Sequence, residues 1–158
     1  MYEFGLLGDL LPELAAFIDK DGGVESSTWK YLATLDRYEK AMRARGVEVS
    51  NGVRAAALFA AMARARPGHA YEIVGTMMES LRIPKTTYFT AVLLLDSVKR
   101  LEQPPQKSRR RIVHNREFPD ILDFNRIVAR TEGRDERVLD QWDAQSRQAY
   151  KKQGENHE

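Results

Sequence analysis

The chain has 158 residues, of which 42 % are hydrophobic and 30 % charged, and a net charge of +2. That length suits one domain with a single sizeable core, and that balance excludes the disordered, collagenous and membrane-spanning classes. The absence of cysteine excludes disulfides and thiolate metal sites and fits a reducing compartment.

No apolar stretch approaches the roughly 20 residues that cross a bilayer. The opening Met-Tyr-Glu-Phe-Gly lacks the basic region of a secretory signal, so a cytoplasmic protein without membrane contact is expected. Helical periodicity runs almost from end to end. The first segment spaces Phe4, Leu7, Leu10 or Leu11, Leu14 and Phe17 along one face, and Pro12 divides it into two short helices. Asp19-Lys20-Asp21-Gly22-Gly23 then breaks the chain. A second helix is expected from a Ser26 or Ser27 cap to about Arg45, with a stripe of Tyr31, Leu35, Tyr38 and Met42 and a stop at Gly46. Its Asp36–Lys40 and Glu39–Arg43 pairs have the i,i+4 spacing of weak surface ion pairs.

A third helix, capped near Ser50, is rich in small residues (Ala55, Ala56, Ala57, Ala60, Ala61 and Ala63), which let neighbours approach closely. The fourth runs from about His69 to Leu81, before Ile83-Pro84. The fifth, Lys85 to about Gln103, carries Tyr88, Phe89, Val92, Leu93, Leu95, Val98 and Leu101 round much of its circumference. That pattern predicts the central helix of the bundle. Pro104-Pro105 stops it. A short helix near Ser108–His114, another from Pro119 to Arg130, and a last from Asp135 to about Lys152 anchored by Val138, Leu139 and Trp142 complete the chain. The prediction is all-α: an irregular bundle or array of seven to eight helices with no sheet. It forms one domain over 1–158, with a main bundle at 2–103, a basic linker and short helix at 104–116, C-terminal helices at 117–152 and a frayed tail at 153–158.

Catalytic constellations are sparse. Asp19-x-Asp21 has the spacing of a metal-holding pair, but it sits before two glycines with no strand to present it, and Lys30 stands where an EF-hand needs glutamate. A solvated turn is the better reading. His69, His114 and His157 lack any partner at ligand spacing. Gly5-Leu6-Leu7-Gly8 fits a Gly-x-x-Gly clamp only superficially, since its leucines suit a core. The charged signal is stronger. Between residues 99 and 116 lie Lys99, Arg100, Lys107, Arg109, Arg110, Arg111 and Arg116 against Glu102 alone, a local balance of +6. Guanidinium groups grip phosphates in bidentate fashion, so this block reads as a polyanion contact, or else as a solvated loop that caps the fifth helix. No aromatics interleave it, so sequence-tolerant phosphate binding is expected without base stacking.

Four ordered stretches resemble the C-terminal portion of bacterial poly(A) polymerases, class II nucleotidyltransferases that also include CCA-adding tRNA nucleotidyltransferases. They are Tyr2-Glu3-Phe4-Gly5-Leu6-Leu7 to Leu11-Pro12-Glu13-Leu14; Arg54 to Met62, with Ala57-Leu58-Phe59-Ala60-Ala61-Met62; Ser80-Leu81-Arg82-Ile83-Pro84-Lys85; and Ser108-Arg109-Arg110 followed by Phe118 to Arg130 and Trp142. The third is the most specific, being similar to the family's Leu-x-Ile-Pro-Lys. Leu11 stands where an aromatic is usual, and the long arginine-rich tail of some members is missing. The family's Asp-x-Asp catalytic head and nucleotide-selecting neck have no counterpart here.

The resemblance therefore implies a non-catalytic C-terminal part of a longer polymerase, or a stand-alone relative. The parent would use ATP and Mg²⁺ to add AMP to RNA 3′ ends, with no cofactor held in this chain. RNA and the parent's own head and neck are the expected partners, with no DNA specificity. Lys107, Arg109, Arg110 and Arg111 are the leading phosphate contacts, and Lys85, Lys99, Arg100 and Arg116 the secondary ones. A structural or protein-interaction domain bracing the head, or the same region of a CCA-adding enzyme, stays open.

Overall fold

A computed structural model describes residues 11–155, with the side chains of residues 76–80, 107–110 and 152–155 excepted. Seven α-helices and no strand occur among these residues: α1 (Pro12–Lys20), α2 (Ser27–Ala44), α3 (Asn51–Ala65), α4 (Ala70–Leu81), α5 (Lys85–Leu101), α6 (Phe118–Glu132) and α7 (Arg137–Glu155). Two 3-10 segments, Gly23–Glu25 and Lys107–His114, link them, so the all-α prediction holds. The stretch before Leu11, including Phe4 and Gly5-Leu6-Leu7-Gly8, lies outside the described residues, as does His157. α7 continues to Glu155, beyond the expected end near Lys152.

Local chemistry sets most of the boundaries. Ser26 caps α2 by accepting from the Thr28 N–H, and Ser50 caps α3 by accepting from the Val53 N–H at 3.2 Å. Asp21, half of the Asp-x-Asp pair, accepts from Ser26 Oγ at 2.8 Å and from the N–H and Oγ of Ser27 at 2.8 and 2.6 Å. The hydrogen bonds from Ser27 and Ser26 lower its carboxyl pKa, so the charge belongs to the start of α2. α2 and α6 end alike. Gly46 (φ +76°) and Gly133 (φ +70°) turn left-handed, and the next residues, Val47 and Arg134, donate back to the Met42 and Ala129 carbonyls at 2.9 and 2.8 Å. Both are Schellman closures, in which glycine avoids the Cβ penalty.

One buried cluster runs from Leu11 to Ala149. Its hub is α3, not α5 as the apolar pattern predicts. α3 buries nine of its fifteen residues and packs against α1, α2, α4, α5 and α6. Small side chains explain this, because alanines at 56, 57, 60, 61 and 63 let neighbours close in on several sides. α5 buries only six of seventeen, and its Phe89 is 57 % exposed. At the tightest approach, a Cβ on Gly52 would lie 2.5 Å from Thr90 Cγ2 of α5. Gly52→Ala is therefore expected to destabilise by about 1–3 kcal/mol despite alanine's better helix propensity. Thr90→Ala in the same chain should recover part of that loss in denaturant melts.

α6 is braced on two sides. Toward α2, Tyr31 donates to Glu132 and Tyr38 to Asp123, with the Arg130 guanidinium 5.1 Å above the Tyr38 ring. Toward α5, the buried Asn125 donates to Ser97 Oγ at 2.9 Å. α7 docks through Leu139, Trp142, Ser146 and Ala149, a single stripe at helical spacing. Trp142 Nε1 donates to the Gln103 carbonyl at 2.8 Å, and its ring lies 6.5 Å from that of Phe118.

Candidate nucleic-acid interface

The basic block is built on a two-point anchor. After α5 the chain passes Pro104-Pro105 and enters the 3-10 segment Lys107–His114, whose Ile112 and Val113 are buried against the core. Three residues per turn leave the intervening positions outside. Arg111 and His114 are accordingly exposed, and so is Arg116, whose contact with Glu117 is a loose 3.9 Å. Lys107, Arg109 and Arg110 lie on the same backbone segment, with side chains outside the described residues. The segment packs on α6 and α7. On α7, Ala149 and Tyr150 line a shallow depression of about 230 Å³ together with Val113, His114 and Arg116.

The structure separates cations that the sequence groups together. Lys99 and Arg100 are exposed at the C-terminal end of α5, where they complement the helix dipole. Lys99 lines a different hollow, with Arg64, Pro67, Gly68 and Asp96. Lys85 stands at the opposite end of α5, about 21 Å from Lys99 at the helical rise per residue. It belongs to a third surface with Arg82, Tyr71 and Phe89. Only the 3-10 segment and Arg116 form the compact part of the expected site.

Tyr150, 57 % exposed, escapes a sequence reading of this site. It lies more than thirty residues from the arginine run and reaches the segment only because α7 docks beside it. No aromatic interleaves the block along the chain, but tertiary contact brings the Tyr150 ring beside it. The signal was present in the Leu139, Trp142, Ser146 and Ala149 stripe, which fixes which residues near the end of α7 face the segment.

Charge pairing divides the cations of the described residues into two groups. Arg64 binds Glu132 at 2.8 Å, Arg126 binds Glu136 and Asp140 at 3.0 Å, Arg130 binds Glu136 at 3.0 Å and Arg134 binds Glu132 at 3.0 Å. Among the described residues, Arg111, Lys99, Arg100 and Lys85 have no carboxylate within ion-pair distance, a property shared with Lys20, Lys30, Arg37, Arg45, Arg66, Arg82 and Lys151. The paired arginines hold the fold together; the unpaired ones are available to an anion.

That pairing has a pH signature. Burial pushes the Glu132 and Glu136 carboxyls up, but hydrogen bonds from Arg64 and Tyr31, and from Arg130 and Arg126, outweigh it and leave both below the ordinary value of 4.5. Groups lowered in the folded state stabilise it above their unfolded pKa, and that stability is lost as pH falls through the folded one. Asp123 has the opposite sign. Its burial raises its pKa, so its protonation on acidification favours the fold. Melting midpoints should hold down to about pH 4.5 and fall below it. Glu132→Gln should lower the midpoint at neutral pH and flatten that acid limb.

No family model, no curated protein and no solved structure matches the chain. No helix among the described residues is long and apolar enough to cross a membrane.

Proposed function

We propose that the chain is an RNA-holding accessory domain similar to the C-terminal region of bacterial poly(A) polymerases, and that it contributes no catalytic group itself. The observation that carries the reading is the arginine-bearing 3-10 segment, pinned by Ile112 and Val113 so that Arg111 faces solvent, flanked by Arg116 and the Tyr150 ring. An ordered backbone that displays unpaired cations loses little entropy on gripping phosphates. Lys107, Arg109, Arg110 and Arg111 are the main contacts in this reading, with Arg116 beside them and Lys99 and Arg100 further along the chain.

The four stretches that resemble the polymerase family add the substrate: an RNA 3′ end to which a separate catalytic head transfers AMP from ATP with Mg²⁺. Whether that head is poly(A)-forming or CCA-adding is decided by residues outside this sequence. The test is a gel shift of the chain against poly(A) and an unrelated RNA at several salt concentrations. Binding to both that weakens steeply with salt supports the reading. No binding at low ionic strength sinks it and leaves bracing of the head as the role.

A further inference from the structure

We propose that the groove between α4 and α5 is a base-stacking site for single-stranded RNA, with Arg82 and Lys85 placed for its phosphates. The inference deepens the RNA-binding reading and rests on it for the choice of ligand, but it uses a surface remote from the 3-10 segment. The groove is open to solvent and has a volume of about 660 Å³, within the range of pockets that hold compact organic ligands; among the described residues it is lined by Tyr71, Gly75, Arg82, Ile83, Lys85, Tyr88 and Phe89.

Its aromatics are displayed rather than stored. Tyr71 is 62 % exposed and Phe89 57 % exposed, two large rings left side by side at the surface. Tyr88 sits between them, 5.7 Å from Tyr71 at an interplanar angle of 62° and 5.1 Å from Phe89 at 55°. Such tilts set the edge of one ring on the face of its neighbour, and the exposure of Tyr71 and Phe89 leaves part of their own surface open to a planar guest. Tyr88 is held there by its hydroxyl, which donates to the Tyr71 carbonyl at 3.3 Å, and by Gly75, where a Cβ would come within 3.2 Å of that oxygen.

The charge of the rim selects the guest. Among the described residues, the charged ones lining the groove, Arg82 and Lys85, are both cationic and both exposed. α5 begins there at Lys85 without a side-chain cap, so its first N–H groups and positive dipole end face the same region. Stacking platforms bordered by cations suit single-stranded nucleic acid, since every base has a π-face and every linkage a phosphate. Arg82 also occupies an unusual backbone position. Pro84 keeps Ile83 out of the helical region, so the chain must turn at Arg82, which takes φ +50° where glycine would be at ease.

The test titrates the chain into a short oligoadenylate carrying 2-aminopurine and reads fluorescence together with anisotropy. Quenching at saturation is expected. Tyr71→Ala and Phe89→Ala should each weaken binding about tenfold and relieve the quenching, while Phe89→Trp retains both. Arg82→Gly should raise the melting midpoint yet lower the affinity, a split that a purely structural arginine would not give. Full binding with quenching unchanged in the Tyr71→Ala, Phe89→Ala double variant overturns the groove and leaves the basic segment standing. Quenching that survives neutralisation of the arginine trio but not Phe89→Ala upholds the groove and removes the segment as the main contact. A concentration-dependent dimer dissolved by Phe89→Ala, with no quenching by RNA, assigns the groove to a second copy of the chain and overturns the proposal. No binding by either readout at low salt overturns both.

Discussion

Replacing Arg109, Arg110 and Arg111 together by alanine is expected to weaken RNA binding about 10- to 100-fold at low salt, nearly equally for poly(A) and an unrelated sequence. Exposed charge contacts are individually small, about 0.2–1 kcal/mol, but three in one segment act on the same polyanion. Equal loss across sequences follows because phosphates carry no base identity. The slope of log affinity against log salt should shrink by about 2, since each lost contact on a single strand removes about 0.7 of released counterion. Melting temperature should not follow, because the buried Ile112 and Val113 hold the segment on the core. Affinity unchanged at low salt would remove the segment from the interface, and a parallel fall in stability would reassign the arginines to the fold.

How legible this protein was in its sequence depends on how local each determinant is. Ser26, Ser50, Pro119, Gly46 and Gly133 mark helix boundaries within a turn of where they act, and the helices begin and end beside them. The basic block is equally local, being a run along the chain. Burial is not local. Tyr88 and Phe89 share the apolar pattern of α5, which predicts core, yet Phe89 is more than half exposed because the neighbouring helices cover only part of that face. α3, whose alanines carry little hydrophobicity each, becomes the hub because small residues admit many neighbours. The interface shows the same division. Lys85 and Lys99 lie on one helix but at opposite ends, whereas Tyr150 reaches Arg116 across more than thirty residues of chain. Periodicity reports which faces of a helix are apolar; it does not report which neighbour covers them.

That non-local arrangement hangs on one side chain, and Trp142→Ala should expose it. Trp142 is 1 % exposed, packs near Phe118 and bonds the Gln103 carbonyl just beyond α5, so it ties α7 to both α5 and α6. Truncating a large buried aromatic costs about 3–5 kcal/mol. For a chain of this size that corresponds to a melting midpoint lower by about 10 °C or more. Trp142→Phe should cost less, because the ring volume is mostly kept and the freed carbonyl lies on exposed Gln103, where water can reach it. The two variants also test how the interface is assembled. If α7 is the bench on which the 3-10 segment rests, Trp142→Ala should loosen Tyr150 from Arg116 at temperatures where α2, α3 and α6 are still protected from hydrogen exchange. RNA affinity should then decline before global unfolding. Exchange that rises uniformly through the whole chain would instead make α7 inseparable from the core, and the segment's order a property of the entire bundle.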